Sequence, residues 1–328
     1  MRDVLRTLER WVADGKDVAV ATVVRVERSA PRGPGATLAV TADGEIAGSV
    51  TGGCVEPAVL LEAEAVLAGE PARDVMYGID DETGRSVGLT CGGTVWIRVS
   101  RLDPSVVAPL AGAVADDRPL GLAVEPDGTM FVVPPDNEVV VHGESDLAGD
   151  TFVHVLAPRP AMYVFGAVDH ASALARVGRF LGYRVTVCDA RAPFVTRERF
   201  PDADELVVAW PDDLLARVPV DERTAICVLT HDSKFDVPAL VAALRSRAGY
   251  VGAMGSRKTT ADRAVRLREA GLTEDELARL RAPIGLPIGG RTPEEVAIAI
   301  AAEIVSVTQE ARDRAARTAP PAGAAARG

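Results

Sequence analysis

From Ala161 onward the chain alternates short apolar, β-branched runs with helical segments, and this alternation narrows the fold more than any other feature. The runs are Met162–Phe165, Arg184–Cys188, Glu205–Val208, Ala225–Leu229 and Gly249–Val251. Strands separated by helices run parallel, because the intervening helix carries the chain back to the same end of the sheet. With right-handed crossovers the expected result is a Rossmann-like, doubly wound parallel sheet with helices on both faces. Its last helix, Pro293–Val307, is announced by Thr292 as N-cap, Pro293 in the first turn and Glu295 as the capping-box acid. We place this domain at residues 161–310 and expect the Ala/Pro/Arg-rich residues 311–328 to form a disordered tail.

The first half carries no such alternation. Val4, Leu5, Leu8, Trp11 and Val12 recur at helical spacing and Gly15 can end that helix. Strands are expected at Val18–Val26, Thr37–Val40, Glu45–Val50, Asp74–Tyr77 and Thr94–Val99, with a helix at Pro57–Ala68. The sum is a mixed α/β domain over residues 1–103. Residues 104–160 read as a connecting subdomain of one helix and short strands around Pro126-Asp127-Gly128 and Pro134–Asn137. Pro158-Arg159-Pro160 marks the boundary.

A length of 328 residues suits roughly two domains. The net charge of −11, with no compensating basic stripe, excludes a general binder of nucleic acid or anionic membrane. There is no apolar run for membrane insertion and no signal-peptide pattern. The four cysteines contain no C-x-x-C pair, hence neither a zinc signature nor a disulfide framework. The expectation is a cytoplasmic protein with reduced thiols.

Two of those cysteines sit in glycine-rich segments, GSVTGGCVE at Gly48–Glu56 and GLTCGG at Gly88–Gly93. Glycine permits positive φ and close approach to a ligand, and a thiolate is the form that binds metals and reacts. Cys54 is therefore the first candidate ligand, with Cys91 beside it in the same scheme. Backbone N–H groups around Gly52, Gly53, Gly92 and Gly93 could hold phosphate or other oxygens. Glu56 has three candidate roles: capping the next helix, holding the Cys54 loop, or acid/base work. Arg32 and Arg98 are candidate anion partners. Cys188 and Cys227 lie inside apolar runs and read as core.

In the second half, ligands are expected at the carboxyl ends of the strands. Gly166 matches the first glycine of a dinucleotide fingerprint, but the next required glycine is Val168. Asp189 stands where a carboxylate would meet a ribose, or caps its own loop. His231 and Asp232 follow the fourth strand and could transfer a proton or bind a metal. Ser256, Arg257 and Lys258 open a helix and suit an anion.

Taken together, GSVTGGCVE, GLTCGG, DAR, THDSKFD, YVGAMGSRKT and PIGLPIGGRTPEE resemble the XdhC/CoxI family, in family order, over about Trp11–Trp96 and Met162–Val307. That resemblance implies an accessory protein without turnover of its own. Such a protein would bind the molybdenum cofactor, support its sulfuration and deliver it to a molybdenum hydroxylase of the xanthine dehydrogenase or CO dehydrogenase type. It also implies Cys54 as metal ligand, an apo-hydroxylase as partner and a cysteine desulfurase as a further one, and it leaves a homodimer open. The sequence departs from the family at Val168 and Asp169, where many members have Gly-His, which counts against NAD(P) or another nucleotide. The second reading is an NAD(P)-dependent oxidoreductase using His231 and Asp232.

Overall fold

The computed structural model describes residues 1–78, 92–230 and 232–318. The chain divides into two compact units, 1–158 and 159–328.

The first unit opens with helix α1 (Leu5–Ala13) and a five-stranded antiparallel sheet, whose strands are β1 (Val18–Glu27), β2 (Thr37–Thr41), β3 (Ile46–Gly48), β4 (Arg73–Tyr77) and β5 (Thr94–Arg101). Their order is β3-β2-β1-β5-β4. Helix α2 (Glu56–Leu67) crosses between β3 and β4. Helix α3 (Val107–Ala115) then leads to β6 (Leu120–Val124), β7 (Met130–Val133), helix α4 (Glu138–His142), β8 (Asp146–Ala148) and β9 (Thr151–Leu156). Those four strands form a second antiparallel sheet, β7-β6-β9-β8.

Central strand β1 is covered on both faces, which is why VAVATVV reads as a continuous apolar run rather than an alternation. Ala19, Ala21 and Val23 pack with Val59 and Ala63 of α2. Val18 and Val20 pack with Leu8 and Trp11 of α1, Leu110 of α3 and Leu122 of β6. The third strand stops earlier than its sequence suggests. At Gly48 the chain takes φ +78, where an added Cβ would lie 2.2 Å from the Thr37 carbonyl oxygen, and it leaves the sheet there.

The second unit contains β10 (Ala161–Phe165), α5 (Asp169–Phe180), β11 (Arg184–Cys188), β12 (Glu205–Val207), α6 (Pro211–Leu215), β13 (Ala225–Val228), α7 (Ser233–Arg245), β14 (Tyr250–Ala253), α8 (Arg257–Glu269), α9 (Glu274–Ala278), β15 (Leu280–Arg281) and α10 (Pro293–Thr318). The strands form one parallel sheet in the order β12-β11-β10-β13-β14-β15, the Rossmann order expected from the sequence plus a two-residue sixth strand. Along β10, Met162 and Val164 face α5 and α10, whereas Tyr163 and Phe165 face the α7 side. Thr292 and Glu295 form the reciprocal cap at the start of α10, with Glu295 N donating to Thr292 Oγ1 at 3.2 Å and Thr292 N to Glu295 Oε2 at 3.1 Å. That helix runs on to Thr318, so residues 311–318 are helical rather than part of a tail. Ala-rich sequence favours helix once a long amphipathic segment has nucleated it. Among the described residues, no helix is long and apolar enough to cross a membrane.

Candidate functional site

The Gly48–Glu56 segment leaves edge strand β3 and turns into α2. Gly52 has φ +85 and Gly53 φ +121, and at neither would an added Cβ meet an atom within 4 Å. The backbone angle, not crowding, demands glycine there. Cys54 follows, partly exposed, with part of its side chain against the core beneath α2.

Glu56, the first residue of α2, reaches back and closes the loop. Its Oε1 accepts from Ser49 Oγ at 2.6 Å, Val50 N at 3.2 Å, Thr51 N at 2.9 Å and Gly52 N at 2.9 Å. Its Oε2 accepts from Thr51 Oγ1 at 2.8 Å, Gly53 N at 2.8 Å and Val55 N at 3.2 Å. Burial by itself would favour the neutral acid. The donors from Ser49 and Thr51 outweigh it and hold the carboxyl far below the usual carboxylate range. The loop is an anion nest filled by the chain's own carboxylate.

This corrects one expectation. The Gly52 and Gly53 N–H groups do not face an incoming phosphate, because Glu56 occupies them, and Glu56 itself is committed to the loop rather than to a ligand. Beside the filled nest stand the partly exposed Cys54 and the open sides of two glycines.

Arg32 and Arg98 also bond within the protein. Arg32 Nη1 donates to Ser49 O at 2.7 Å and Nη2 to Asp3 Oδ2 at 2.9 Å, fastening the preceding Pro/Gly loop to the base of the Cys54 loop. Arg98 is buried, pairs with both Asp74 oxygens at 2.8 and 2.9 Å, and donates to the carbonyls of Val124 and Asp150. It braces the two sheets of the first unit and is no anion site.

Of the second glycine segment, Cys91 lies outside the described residues. Gly92 turns with φ +78. At Gly93 a Cβ would lie 2.1 Å from Ser29 O and 2.7 Å from Glu27 O. That glycine lets the start of β5 lie against the end of β1, a packing role in place of the predicted ligand contact.

In the Rossmann unit, the chain's own groups fill the positions a dinucleotide would use. Gly166 has φ +108 and its missing Cβ would lie 2.8 Å from Thr230 Cγ2, so the glycine serves contact between strand ends. Asp189 is buried. It accepts from Ala167 N at 2.8 Å, Arg191 N at 2.9 Å, and Arg191 Nε and Nη2 at 2.9 and 2.8 Å. Burial opposes its charge, but the Arg191 and backbone donors prevail and lower its pKa. It ties its own loop and offers nothing to a ribose. Asp169, exposed in the first turn of α5, places negative charge where a pyrophosphate would sit.

His231 lies outside the described residues. Asp232 caps α7 by accepting from Lys234 N at 3.0 Å. Ser256 caps α8 by accepting from Thr259 N at 3.1 Å, with Arg257 and Lys258 exposed beside it. No motif announces the ion pair beneath these helix starts. Asp236 accepts from Thr230 Oγ1 and from Arg263 Nη2, the latter at 2.9 Å, and both charged side chains are buried. Among the described residues, no group of three or more His, Cys, Asp or Glu is arranged to hold a metal ion.

Comparison with known proteins agrees with this architecture. The profile of the XdhC Rossmann domain matches residues 162–304, and that of the XdhC and CoxI family matches residues 11–78. The chain is 27% identical over 307 residues to the molybdenum cofactor insertion chaperone PaoD of Escherichia coli, covering 93% of this chain and 88% of that one. It is 26% identical over 324 residues to a probable xanthine dehydrogenase subunit of Bacillus subtilis, covering 91% and 95%. A crystal structure described as a xanthine dehydrogenase from Bacillus halodurans shares the fold, with a TM-score of 0.71 at 24% identity over 96% of this chain and 98% of that one.

Proposed function

The chain belongs to the XdhC and CoxI family, and from that premise we propose that it is an accessory protein of a molybdenum hydroxylase. In this reading it binds the molybdenum cofactor, supports its sulfuration and delivers it to an apo-enzyme of the xanthine dehydrogenase or CO dehydrogenase type. A cysteine desulfurase would supply the sulfur, and all of this would take place in the cytoplasm. The name of the Escherichia coli relative supports the cofactor role, and that of the Bacillus subtilis relative the link to xanthine dehydrogenase.

One observation carries the proposal: a partly exposed thiol, Cys54, stands on a loop fixed by an ionised carboxylate rather than on a mobile turn. The residues fit the cofactor. Molybdenum favours soft sulfur ligands, and a metal that arrives already chelated by an organic dithiolene needs one added ligand, not a protein cage. The missing three-residue metal cluster among the described residues is thus compatible with this cargo. The open space beside Gly52 and Gly53 admits a bulky group. When bound, the cofactor would supply molybdenum as an electrophilic centre for the thiolate. Glu56 fixes the loop that carries the thiol and does not exchange protons near neutral pH.

Cofactor-loaded protein mixed with apo-hydroxylase tests delivery. Wild type should restore hydroxylase activity, and Cys54→Ala, loaded by the same procedure, should restore little. Equal reconstitution by both proteins would rule out the thiol's role.

A further inference from the structure

The first unit contains an open groove of about 650 Å³ that no motif pointed to. Arg2, Asp3, Arg32, Gly33, Gly35 and His154 contribute to its walls. The volume lies in the range of small-molecule and cofactor sites. Two features mark it as built. Arg32 belongs to both the groove and the Cys54 loop, since its Nη1 is bonded to Ser49 O, and Ser49 Oγ accepts from Gly52 N at 2.8 Å. His154 is buried at 6% exposure, its Nδ1 lies 3.1 Å from Ser145 Oγ, and its Nε2 has no hydrogen-bond partner. Burial keeps this imidazole neutral. Room for it depends on Gly35: φ there is +89, and a Cβ would lie 2.7 Å from His154 Cε1. A buried polar nitrogen left unsatisfied is costly, and natural structures retain one where something else satisfies it.

We propose that this groove binds the organic end of the molybdenum cofactor, the phosphate-bearing pterin, while Cys54 takes the metal end. The proposal rests on the functional reading above and deepens it. The chemistry of the walls suits such a ligand. Arg2 and Arg32 outnumber the one carboxylate, Asp3: Arg2 donates to Ala157 O and Arg32 to Ser49 O and Asp3 Oδ2, and the charge left after the Arg32–Asp3 pair is positive, which suits a phosphate. His154 Nε2, unpartnered and itself shielded at the wall, would reach a heterocycle once the wall shifts to admit one. The link from Arg32 to Ser49 would make occupancy of the groove felt at the thiol loop.

Gly33 supplies the test. Its backbone has no left-handed strain and a Cβ there would meet nothing within 4 Å, so Gly33→Trp should fold normally while its side chain fills the groove. Metal-free molybdopterin and the complete cofactor are each offered anaerobically to the full-length protein. Bound pterin is then read by fluorescence after oxidation, alongside a thermal melt. Wild type and Cys54→Ser should retain metal-free molybdopterin alike, Gly33→Trp should retain at least tenfold less, and Arg32→Gln should fall between. Wild-type retention by a folded Gly33→Trp overturns the groove while leaving the Cys54 proposal standing. Failure of wild type to bind either form overturns both.

Discussion

At the scale of single residues, Glu56 decides the character of the thiol loop. One carboxylate satisfies donors from Ser49, Val50, Thr51, Gly52, Gly53 and Val55. Hydrogen bonds to a charged group contribute more than neutral ones, so Glu56→Gln should cost roughly 1.5–3 kcal/mol of stability, measured by urea unfolding at neutral pH. The sign with pH follows from its lowered pKa. The contribution is complete above the ordinary value of 4.5 and declines as pH falls below it toward the folded-state value. The difference between wild type and Glu56→Gln should therefore narrow as the unfolding series descends from pH 7 to pH 3. A constant difference would show that folding does not lower the pKa of this carboxyl. The other thiols behave differently. Burial pushes the Cys188 thiol up to about 12 and raises Cys227 as well, and both are fully buried. Cys188→Ala and Cys227→Ala should each cost roughly 1 kcal/mol and leave ligand binding intact, in a melt paired with a binding assay. Cys54 is legible as special from its flanking glycines. The role of Glu56 is only one of three open choices in the sequence, because a carboxylate reaching back to its own loop has no period or spacing to announce it. Arg98 misleads for a related reason: sequence shows a cation but not the carboxylate and carbonyls already holding it.

Among the elements, five of the six parallel strands are legible, because a parallel sheet between helices needs apolar strands and helices long enough to cross back. Strand β15 escapes notice, being two residues without pattern. The extent of α10 is underestimated when an Ala/Pro/Arg-rich composition is weighed above helix propensity. The Asp236–Arg263 pair joins α7 to α8, and Arg263 also donates to Met254 O at 2.8 Å just past β14. Removing one partner strands a buried charge, so Asp236→Ala should cost about 3–5 kcal/mol. Replacing both with Leu and Met should cost much less, and the comparison is made by chemical denaturation. At the ends of β10 and β11, the filled positions around Gly166, Asp169 and Asp189 predict that NAD(H) and NADP(H) bind weakly or not at all in isothermal titration. Any phosphate that does bind should depend on Arg257 and Lys258. Micromolar NAD(H) binding unaffected by Arg257→Ala/Lys258→Ala would restore the oxidoreductase reading.

For the whole molecule, the two units differ in what they offer a ligand. The second unit spends its Rossmann ligand positions on internal bonds, whereas the first has a partly exposed cysteine and an open groove. A net charge of −11 counts against a polyanion as partner. The family resemblance is readable because several motifs occur together in order, each weak alone; the groove is not, since its walls come from segments far apart in the chain. Anaerobic purification of wild type and Cys54→Ala from cells that make the molybdenum cofactor, followed by molybdenum analysis and pterin fluorescence on the same samples, addresses the central claim directly. Wild type should carry molybdenum and pterin in equal amounts, and Cys54→Ala, folded to the same melting temperature, should carry at least tenfold less molybdenum. Equal molybdenum in the two proteins would contradict the account.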